Sequence, residues 1–384
     1  MMLPNGWKKS KIGETCSLLS GQDFPPNLYG NEEKGMPYIT GASNFAGNHI
    51  ILNRWTEHPK NIAKKGDILL VCKGSGFGIT AIADFEKAHI ARQVMALQKL
   101  NGVDRDFLYQ VVSMNVRNIK QKGCGLIPGI DRKTVLNIEY LLPPIEEQKK
   151  IAATLSVWDS AIEKMEKLIE AKEVSFNSLL KELIYSPAEK EHWNIVKLGD
   201  VSEMSSGGTP KSSIEKYYNG DVLWVSIADM TEQGMYIKDT AKKLTKLGIE
   251  NSAAKIYPKG TVLYAMYASI GEVSIAEKEM ASSQAILGIQ VSDKLVNKYL
   301  YYFLVGQKER IKLQGQAGTQ SNLNAGMVKN LDIPVPSIKE QNKIIAVLDN
   351  GMGELSLLKQ QLENYKKQKQ GLMQKLLSGQ WRVK

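Results

Sequence analysis

Cysteine and histidine are scarce in this chain of 384 residues, which contains three cysteines and four histidines. The cysteines lie more than fifty residues apart, so they form no CxxC pair and no disulfide framework is expected. The histidines show no metal-ligand spacing with the cysteines or with one another. These residues are Cys16, Cys72, Cys124, His49, His58, His89 and His192. We therefore predict no metal site and a reducing compartment.

Long apolar runs are also missing. The longest, such as 79–83 and 299–305, fall far short of the roughly 20 residues that span a bilayer. The first seven residues have no charged segment followed by an apolar run, so no secretory signal is visible. The expected location is the cytoplasm.

The charge is basic but uneven. The net charge is +10, and residues 1–144 contribute 18 basic and 12 acidic side chains, whereas residues 186–337 contribute 17 and 16. A basic surplus is typical of a protein with a polyanionic partner, although an ordinary basic soluble protein would also show it.

The chain contains an internal repeat. The pattern Trp7-x-x-x-Lys11-Ile12-Gly13 returns at Trp193, and Pro143-x-Ile145-x-Glu147-Gln148 returns at Pro336 with a spacing of 193 residues. The same alignment pairs Gln93 with Gln284. Ordered matches of this kind indicate a tandem duplication. Residues 15–140 and 201–333 have diverged most, which fits either two modules of different specificity or neutral drift.

A heptad pattern of apolar residues follows each Glu-Gln motif and predicts two helices of about 40 residues. Such a long apolar stripe must be buried, and antiparallel pairing of the two helices about a pseudo-twofold axis is the preferred solution. Packing of each helix on its own module alone is the alternative. The predicted pairing residues are Ile151, Leu155, Trp158, Ile162, Met165, Ile169, Phe176, Leu179, Leu183, Ile344, Leu348, Leu355, Leu358, Leu362, Tyr365, Leu372 and Leu376.

The segments before each long helix mix strand and helix signals. Residues 66–71 and 260–265 read as buried strands, and residues 107–120 and 297–312 have helical spacing. The predicted fold is therefore α/β (mixed α+β), with two globular modules alternating with two long helices that pair as an antiparallel coiled coil. The boundaries are 1–143 and 186–336 for the modules and 144–185 and 337–384 for the helices.

No catalytic motif is apparent. The glycine-rich stretch Lys73–Gly78 lacks the Gly-Lys-Ser/Thr end of a phosphate-binding loop, and it predicts either a hairpin turn or a loop that approaches DNA phosphate. No Ser/His/Asp set or nuclease carboxylate cluster recurs in both halves, although duplication would have left two copies. We expect a binding protein without a reaction of its own.

The doubled Pro-x-Ile-x-Glu-Gln motif, the strand beginning at Gly66-Asp67-Ile68-Leu69 and the stretch 315–320 resemble the specificity subunits of Type I restriction-modification systems. The resemblance covers essentially the whole chain. It departs at Thr261, where the family often has Asp, and at Gly351, which replaces the counterpart of Trp158. This replacement puts the local helix in doubt.

The resemblance implies two target-recognition domains, each reading one half of a bipartite, asymmetric site in double-stranded DNA, with the helices setting the spacing. It implies two methyltransferase subunits as partners, which carry S-adenosylmethionine, and two restriction/translocase subunits, which use ATP and Mg. This chain itself would bind no cofactor. A duplicated coiled-coil adaptor that joins two proteins without contacting DNA is the alternative, and an enzyme with an unfamiliar site is a third.

The resemblance does not carry over the residues that read DNA. Candidates are polar residues in predicted loops near the shared motifs, because they can donate to base edges or phosphates. They are Lys73, Arg92, Gln93, Lys122, Tyr267, Gln284, Gln316 and Gln320.

Overall fold

A computed structural model describes residues 3–47, 49–74, 76–121, 129–186, 193–267, 269–316 and 323–383, without the side chains of residue 121 and residues 309–316. The chain forms two compact units. Unit 1 comprises Met1–Leu168 and Lys359–Lys384, and unit 2 comprises Ile169–Leu358. Neither unit is a continuous stretch of one repeat, because each contains residues from both predicted long helices.

The strands of unit 1 form two four-stranded sheets and two short ribbons. The sheets have the orders β2-β11-β8-β9 and β6-β3-β10-β7, and the ribbons pair β1 with β12 and β4 with β5. The strands are β1 (Lys8–Lys11), β2 (Ser17–Ser20), β3 (Met36–Ile39), β4 (Phe45–Ala46), β5 (His49–Ile50), β6 (Trp55–Thr56), β7 (Ile62–Lys64), β8 (Ile68–Val71), β9 (Thr80–Ile82), β10 (Lys87–Ile90), β11 (Val94–Gln98) and β12 (Glu139–Leu142).

The helices of unit 1 pack against the first of these sheets. They are α1 (Ile12–Thr15), α2 (Arg105–Gln121) and α3 (Arg132–Leu136), with 3-10 turns at Pro26–Leu28 and Ala42–Asn44. The helix α4 (Ile145–Leu180) begins in this unit and continues as a π-helix at Lys181–Tyr185. Ile68, Leu70, Phe107 and Leu108 are fully buried in the main core, which also contains Ile151 of α4.

Unit 2 repeats the two-sheet architecture with a fifth strand in its first sheet, and its described residues form no ribbon equivalent to β4-β5. Its sheets have the orders β14-β22-β19-β20-β16 and β17-β15-β21-β18, and β13 pairs with β23. The strands are β13 (Asn194–Lys197), β14 (Ser202–Ser206), β15 (Tyr218–Val225), β16 (Tyr236–Ile237), β17 (Lys242–Leu244), β18 (Ile256–Tyr257), β19 (Val262–Ala265), β20 (Val273–Ala276), β21 (Met280–Ser282), β22 (Ile286–Val291) and β23 (Asp332–Val335).

The helices of unit 2 are α5 (Ile227–Gln233), α6 (Lys246–Glu250), α7 (Asn297–Gln316), α8 (Ala325–Lys329) and α9 (Ile338–Leu377), with 3-10 turns at Leu198–Asp200 and Glu215–Tyr217. The part of α9 from Lys359 onward, nearly half of the helix, belongs to unit 1. The predicted mixed fold with long helices is thus confirmed, and so are the buried strands at β8 and β19 and the helices at α2 and α7. Between β8 and the antiparallel β9 the Phe77 N–H donates to the Gly74 carbonyl over 3.0 Å, so the described residues of this stretch form the predicted hairpin turn.

The long helices contact each other within each unit. In unit 1 the ring of Trp158 lies edge-on to that of Tyr365, with centroids 5.9 Å apart, and Glu166 pairs with Lys366 over 2.9 Å. In unit 2, Lys172 pairs with Glu354 over 2.7 Å. The ion pairs of unit 1 join Asp159 to Lys369 and Glu166 to Lys366, and in unit 2 Phe176 lies against Gly351, beyond the pair of Lys172 with Glu354. In each unit the residue number on α9 falls between these pairs as that on α4 rises, so the two helices run antiparallel. Packing of each helix on its own module alone, the alternative, is therefore wrong.

Every predicted pairing residue is buried or half-buried. The pattern changes at the end of each helix, where Leu180 and Ile184 are buried in unit 2 and Met373 and Leu377 in unit 1, all outside the predicted set. Each step of four residues in an α-helix rotates the buried face by about 40°, because an α-helix has 3.6 residues per turn. Ile184 lies beyond the α-helical part of α4, in the π-helix. These turns join the core of the adjacent module: Leu180 and Ile184 join the main core of unit 2, and Met373 and Leu377 that of unit 1.

Gly351 does not interrupt α9. A Cβ atom at this position would lie 3.0 Å from the ring of Phe176, so the missing side chain leaves room for that ring. The aromatic ring at this level of unit 2 comes from α4, whereas unit 1 has Trp158 at the position equivalent to Gly351. The doubt about the local helix is removed.

Candidate nucleic-acid interface

The candidate residues of unit 1 meet where β8 ends and β11 begins. The Cys72 N–H donates to the Gln93 carbonyl over 2.8 Å, and the Ile130 N–H donates to the Cys72 carbonyl over 2.9 Å. Lys73 forms an isolated bridge with Gly129. The side chains of Lys73, Arg92 and Gln93 are exposed. The structure therefore brings three of the predicted DNA-contacting residues together at one end of the two inner strands of the sheet.

Arg92 is held by a partner that the sequence did not reveal. Its Nε lies 2.6 Å from Oδ2 of Asp23, and its backbone N–H donates to Oδ1 of the same carboxylate over 2.9 Å. The Arg92 side chain nevertheless keeps 71% of its surface exposed. The guanidinium is thus oriented by a carboxylate and still accessible to a partner.

Close backbone packing fixes the position of the segment before β11. A Cβ atom on Gly21 would overlap the carbonyl oxygens of Ala91 and Ile90, and one on Gly41 would lie 2.6 Å from Oε1 of Gln93. The Gly21 N–H also donates to the Val94 carbonyl over 3.1 Å. A larger residue at Gly21 would displace the backbone that carries Arg92 and Gln93, whereas one at Gly41 would require only the Gln93 side chain to move.

A buried histidine of β10 stabilises the same region. His89 is fully buried, its Nδ1 accepts from the Asn61 N–H over 3.1 Å, and its Nε2 lies 2.7 Å from the Gln22 carbonyl. Its ring stacks on Phe24 with centroids 4.4 Å apart. Burial lowers the pKa of His89, so the ring is neutral near pH 7 and acts as a structural hydrogen-bonding group.

Unit 2 has the same strand-end arrangement. The Met266 N–H donates to the Ala285 carbonyl over 2.8 Å, and the Leu323 N–H donates to the Met266 carbonyl over 3.2 Å. Tyr267 thus takes the place of Lys73, and both side chains are exposed. Gln284 is exposed as well, and its Oε1 accepts a hydrogen bond from the Thr209 hydroxyl.

The strand register corrects the predicted match of Gln93 with Gln284. Val94 pairs with Val71 in unit 1, and Ile286 pairs with Ala265 in unit 2, so the repeats are offset by 192 residues here. Gln284 therefore occupies the place of Arg92, and Ala285 that of Gln93. The match was wrong by one residue because two glutamines near a turn resemble each other more than the true counterparts do.

Three candidates lie outside this description. Lys122 and Gln320 fall in segments that the structure does not describe, and Gln316 ends α7 among residues whose side chains are not described. Within the described parts of the chain, no group of three or more histidine, cysteine, aspartate or glutamate side chains is arranged to hold a metal ion. The described helices include none that is both long and apolar enough to cross a membrane.

The Glu-Gln motif attaches each module to its helix. Gln148 donates to the Pro143 carbonyl over 2.8 Å and accepts from the Asp104 N–H over 2.7 Å. Gln341 makes the equivalent bonds, to the Pro336 carbonyl over 2.9 Å and from the Val296 N–H over 2.8 Å. Both amides are buried, so each satisfies backbone groups that would otherwise lack partners.

The glutamate of the motif has a second role in unit 1. Glu147 accepts from the Trp7 indole over 3.0 Å and from Arg382 over 2.6 Å. The hydrogen bond from Arg382 is the main cause that holds the pKa of Glu147 below its ordinary value. The motif is therefore explained by structure, and the exposed side chains at the strand ends remain as the candidate binding residues.

Comparisons with known proteins agree with this arrangement. The family model described as "Type I restriction modification DNA specificity domain" matches twice, at residues 4–173 and 190–366. The MjaVIII specificity subunit of Methanocaldococcus jannaschii is 26% identical over 427 aligned positions, which cover all of this chain and 95% of that protein. The MjaIX specificity subunit of the same organism is 32% identical over 179 residues, which span 46% of this chain and 40% of that relative.

Solved structures share the fold. The S subunit of a Type I system from M. genitalium has a TM-score of 0.55 at 20% identity, covering 98% of both chains. A chain from a study of complex assembly in a type I R-M system has a TM-score of 0.61 at 18% identity, covering 98% of this chain and 99% of that one. Since the family model matches most of the chain in two copies, this protein belongs to the family of Type I restriction-modification specificity subunits.

Proposed function

We propose that this protein is the DNA-reading subunit of a Type I restriction-modification complex, with residues 1–143 and 186–336 each reading one half of a bipartite, asymmetric site. The observation that carries the proposal is the repeated strand-end turn, in which one backbone arrangement presents different exposed side chains. Phosphate contacts position a protein on DNA, whereas side chains at base edges specify sequence. One backbone arrangement that carries different side chains in the two modules suits two different half-sites.

The chemistry belongs to the partners in this proposal. Two methyltransferase subunits carry S-adenosylmethionine and take the target base out of the helix. Two restriction/translocase subunits add ATP- and Mg-dependent cleavage. This chain contributes no cofactor and no reaction of its own.

The long helices dock the methyltransferase and set the number of unread base pairs. Val174 on α4 and Leu357 on α9 support a docking role, because these apolar side chains are 64% and 68% exposed. Both lie in unit 2, near the level of the contact between Lys172 and Glu354. A partner subunit that covers these side chains would remove apolar surface from water, and each Å² would contribute about 25 cal/mol to the free energy of binding.

The docking role is tested with the variants Val174→Glu and Leu357→Glu. Each should weaken methyltransferase binding in a pull-down or calorimetric titration while leaving thermal unfolding of the isolated chain unchanged. Leu355→Ala is the matched control, since Leu355 is buried and its truncation should lower stability instead. Unchanged methyltransferase binding in both glutamate variants would contradict docking at this face.

DNA reading is tested with the complex reconstituted from this chain and its methyltransferase. We expect binding to duplex DNA that weakens as salt rises, with a slope of log affinity against log salt of about −0.9 per phosphate contacted. We also expect methylation at one bipartite motif in the host genome. The adaptor alternative would give a stable protein complex with no salt-dependent DNA binding and no methylated motif.

A further inference from the structure

Arg92 and Gln284 occupy the same position in the two repeats, one residue before the turn residue that precedes β11 or β22. Their partners are equivalent too, because Asp23 and Thr209 are separated by 186 residues, as are Gly21 and Gly207. Unit 1 thus has a charged pair, Arg92 with Asp23, where unit 2 has a neutral pair, Gln284 with Thr209. The two members of the pair differ together between the repeats.

The backbone around both pairs is alike. The Gly21 N–H donates to the Val94 carbonyl over 3.1 Å, and the Gly207 N–H donates to the Ile286 carbonyl over 3.0 Å. A Cβ atom on Gly207 would overlap the carbonyl oxygens of Ser282 and Ser283, as one on Gly21 would overlap Ala91 and Ile90. The side chains at the two positions are therefore presented from the same rigid turn.

The chemistry of each pair matches one base. Arginine donates two hydrogen bonds to O6 and N7 of guanine, and glutamine bonds N6 and N7 of adenine. Asp23 engages Nε of Arg92, and the 71% exposed side chain leaves its Nη end accessible. Thr209 donates to Oε1 of Gln284, and a carbonyl oxygen has a second lone pair with which to accept from an adenine amino group. Each partner holds its reading side chain in place before DNA binds, which reduces the entropy lost on binding.

We propose that this position determines one base in each half-site: Arg92, oriented by Asp23, selects a guanine for the first module, and Gln284, oriented by Thr209, selects an adenine for the second. The assignment rests on the proposed DNA-reading function. It requires that the half-site of the first module contain a G·C pair and that of the second an A·T pair.

The test exchanges the pairs in the full chain, assembled with its methyltransferase. The double variant Arg92→Gln with Asp23→Thr should change one guanine to adenine in the first half of the methylated motif and leave the second half intact. The reciprocal variant, Gln284→Arg with Thr209→Asp, should change one adenine to guanine in the second half only. The readout is the methylated motif in the genome of a host expressing each complex.

A matched control pair lies near the start of β8, at the opposite end of this strand from Arg92. Arg105 and Asp106 form an exposed pair at 2.8 Å, and Arg105 lies beside Gly66, ahead of β8, whereas Lys73 and Arg92 lie beyond its end. Arg105→Gln with Asp106→Thr should leave the motif unchanged. A motif change in this control equal to that of the Arg92 variant would overturn the assignment.

A second measurement covers variants that lose methylation altogether. The affinity of the wild-type complex is measured for duplexes in which each base pair of the motif is replaced in turn. Replacement of the guanine read by Arg92 should cost about 5- to 150-fold. Arg92→Ala should abolish discrimination at that position alone and preserve it elsewhere. If Arg92→Ala discriminates at every position as the wild type does, or the exchanged pairs leave the motif unaltered, the assignment fails while DNA reading stands. A wild-type complex without salt-dependent DNA binding would instead refute the proposed function itself.

Discussion

Lys369 is expected to tie the helix pair of unit 1 together through a charge network. The lysine is 8% exposed and forms an ion pair with Asp159, whose other oxygen accepts from Gln110 Nε2 over 2.7 Å. The equivalent of Lys369 in the first repeat is Phe176, which packs in an apolar core of unit 2. Unit 1 therefore uses charge at a position where unit 2 uses an aromatic ring.

Removing one member of this network should be costly. Lys369→Met keeps the length of the side chain but leaves Asp159 without its cation, and breaking a buried pair costs about 3–5 kcal/mol. The Asp159 side chain is 19% exposed, so water screens part of its charge and the lower end, about 3 kcal/mol, is expected. For a unit of this size about 1 kcal/mol lowers Tm by about 2–4 °C, so Tm should fall by about 6–12 °C.

Replacing the whole network should restore stability. The triple variant Gln110→Leu, Asp159→Leu and Lys369→Met removes both charges, and a cavity of about 240 Å³ lined by Gln110 and Asp159 provides room for the larger leucine. Apolar replacement of a buried ion pair is often neutral or stabilising. Urea and thermal unfolding of the isolated chain measure both variants. If the free energy of unfolding of Lys369→Met lies within about 0.5 kcal/mol of the wild-type value, the reasoning is refuted, because an unpaired buried carboxylate destabilises a protein by more than that.

Three further outcomes are expected. Seven residues inserted after Lys172, which preserve the heptad phase and add about 10 Å of helix, should lengthen the unread spacer by up to about three base pairs, as the methylated motif would show; an unchanged spacer in a stable, helical variant would contradict the ruler role. Lowering the pH below about 6.5 should destabilise unit 1, because the unfolded chain binds a proton at His89 that the folded chain resists; the pH dependence of unfolding should be weaker in His89→Gln, and equal curves would count against it. The purified chain alone should transfer no methyl group from labelled S-adenosylmethionine and cleave no DNA, and activity that survives rigorous purification would overturn this expectation.

More of the fold than of the site could be predicted from the sequence, because each weak sequence pattern of the fold occurs twice in the chain. The doubled Glu-Gln motif and the heptad pattern located both long helices, and the buried glutamines show why the motif recurs: each satisfies backbone groups at the junction. The pattern missed Leu180 and Met373, which lie off the heptad positions and are buried in a main core that also contains module residues. Periodicity along one helix carries no information about which neighbour each turn meets.

The candidate binding residues were harder to predict because their partners are distant in sequence. Arg92 was selected for its chemistry alone, and Asp23, its partner, lies in another loop. The alignment error at Gln93 has the same origin, since the correct offset becomes visible only when strand register is known. Loops that differ between repeats supply few residues with which to align them.

The composition of unit 1 has a consequence for synthesis of the chain. Its core closes around Met373, Leu376 and Leu377, and the ion pair of Arg382 with Glu147 joins residues 235 positions apart. At about 5–20 residues per second, the ribosome needs on the order of 10–40 s to make the remainder of the chain after the first part of α4. During that interval Ile151 and Leu155 have no C-terminal partner on the nascent chain, so the half that is made first is the half that finishes folding last.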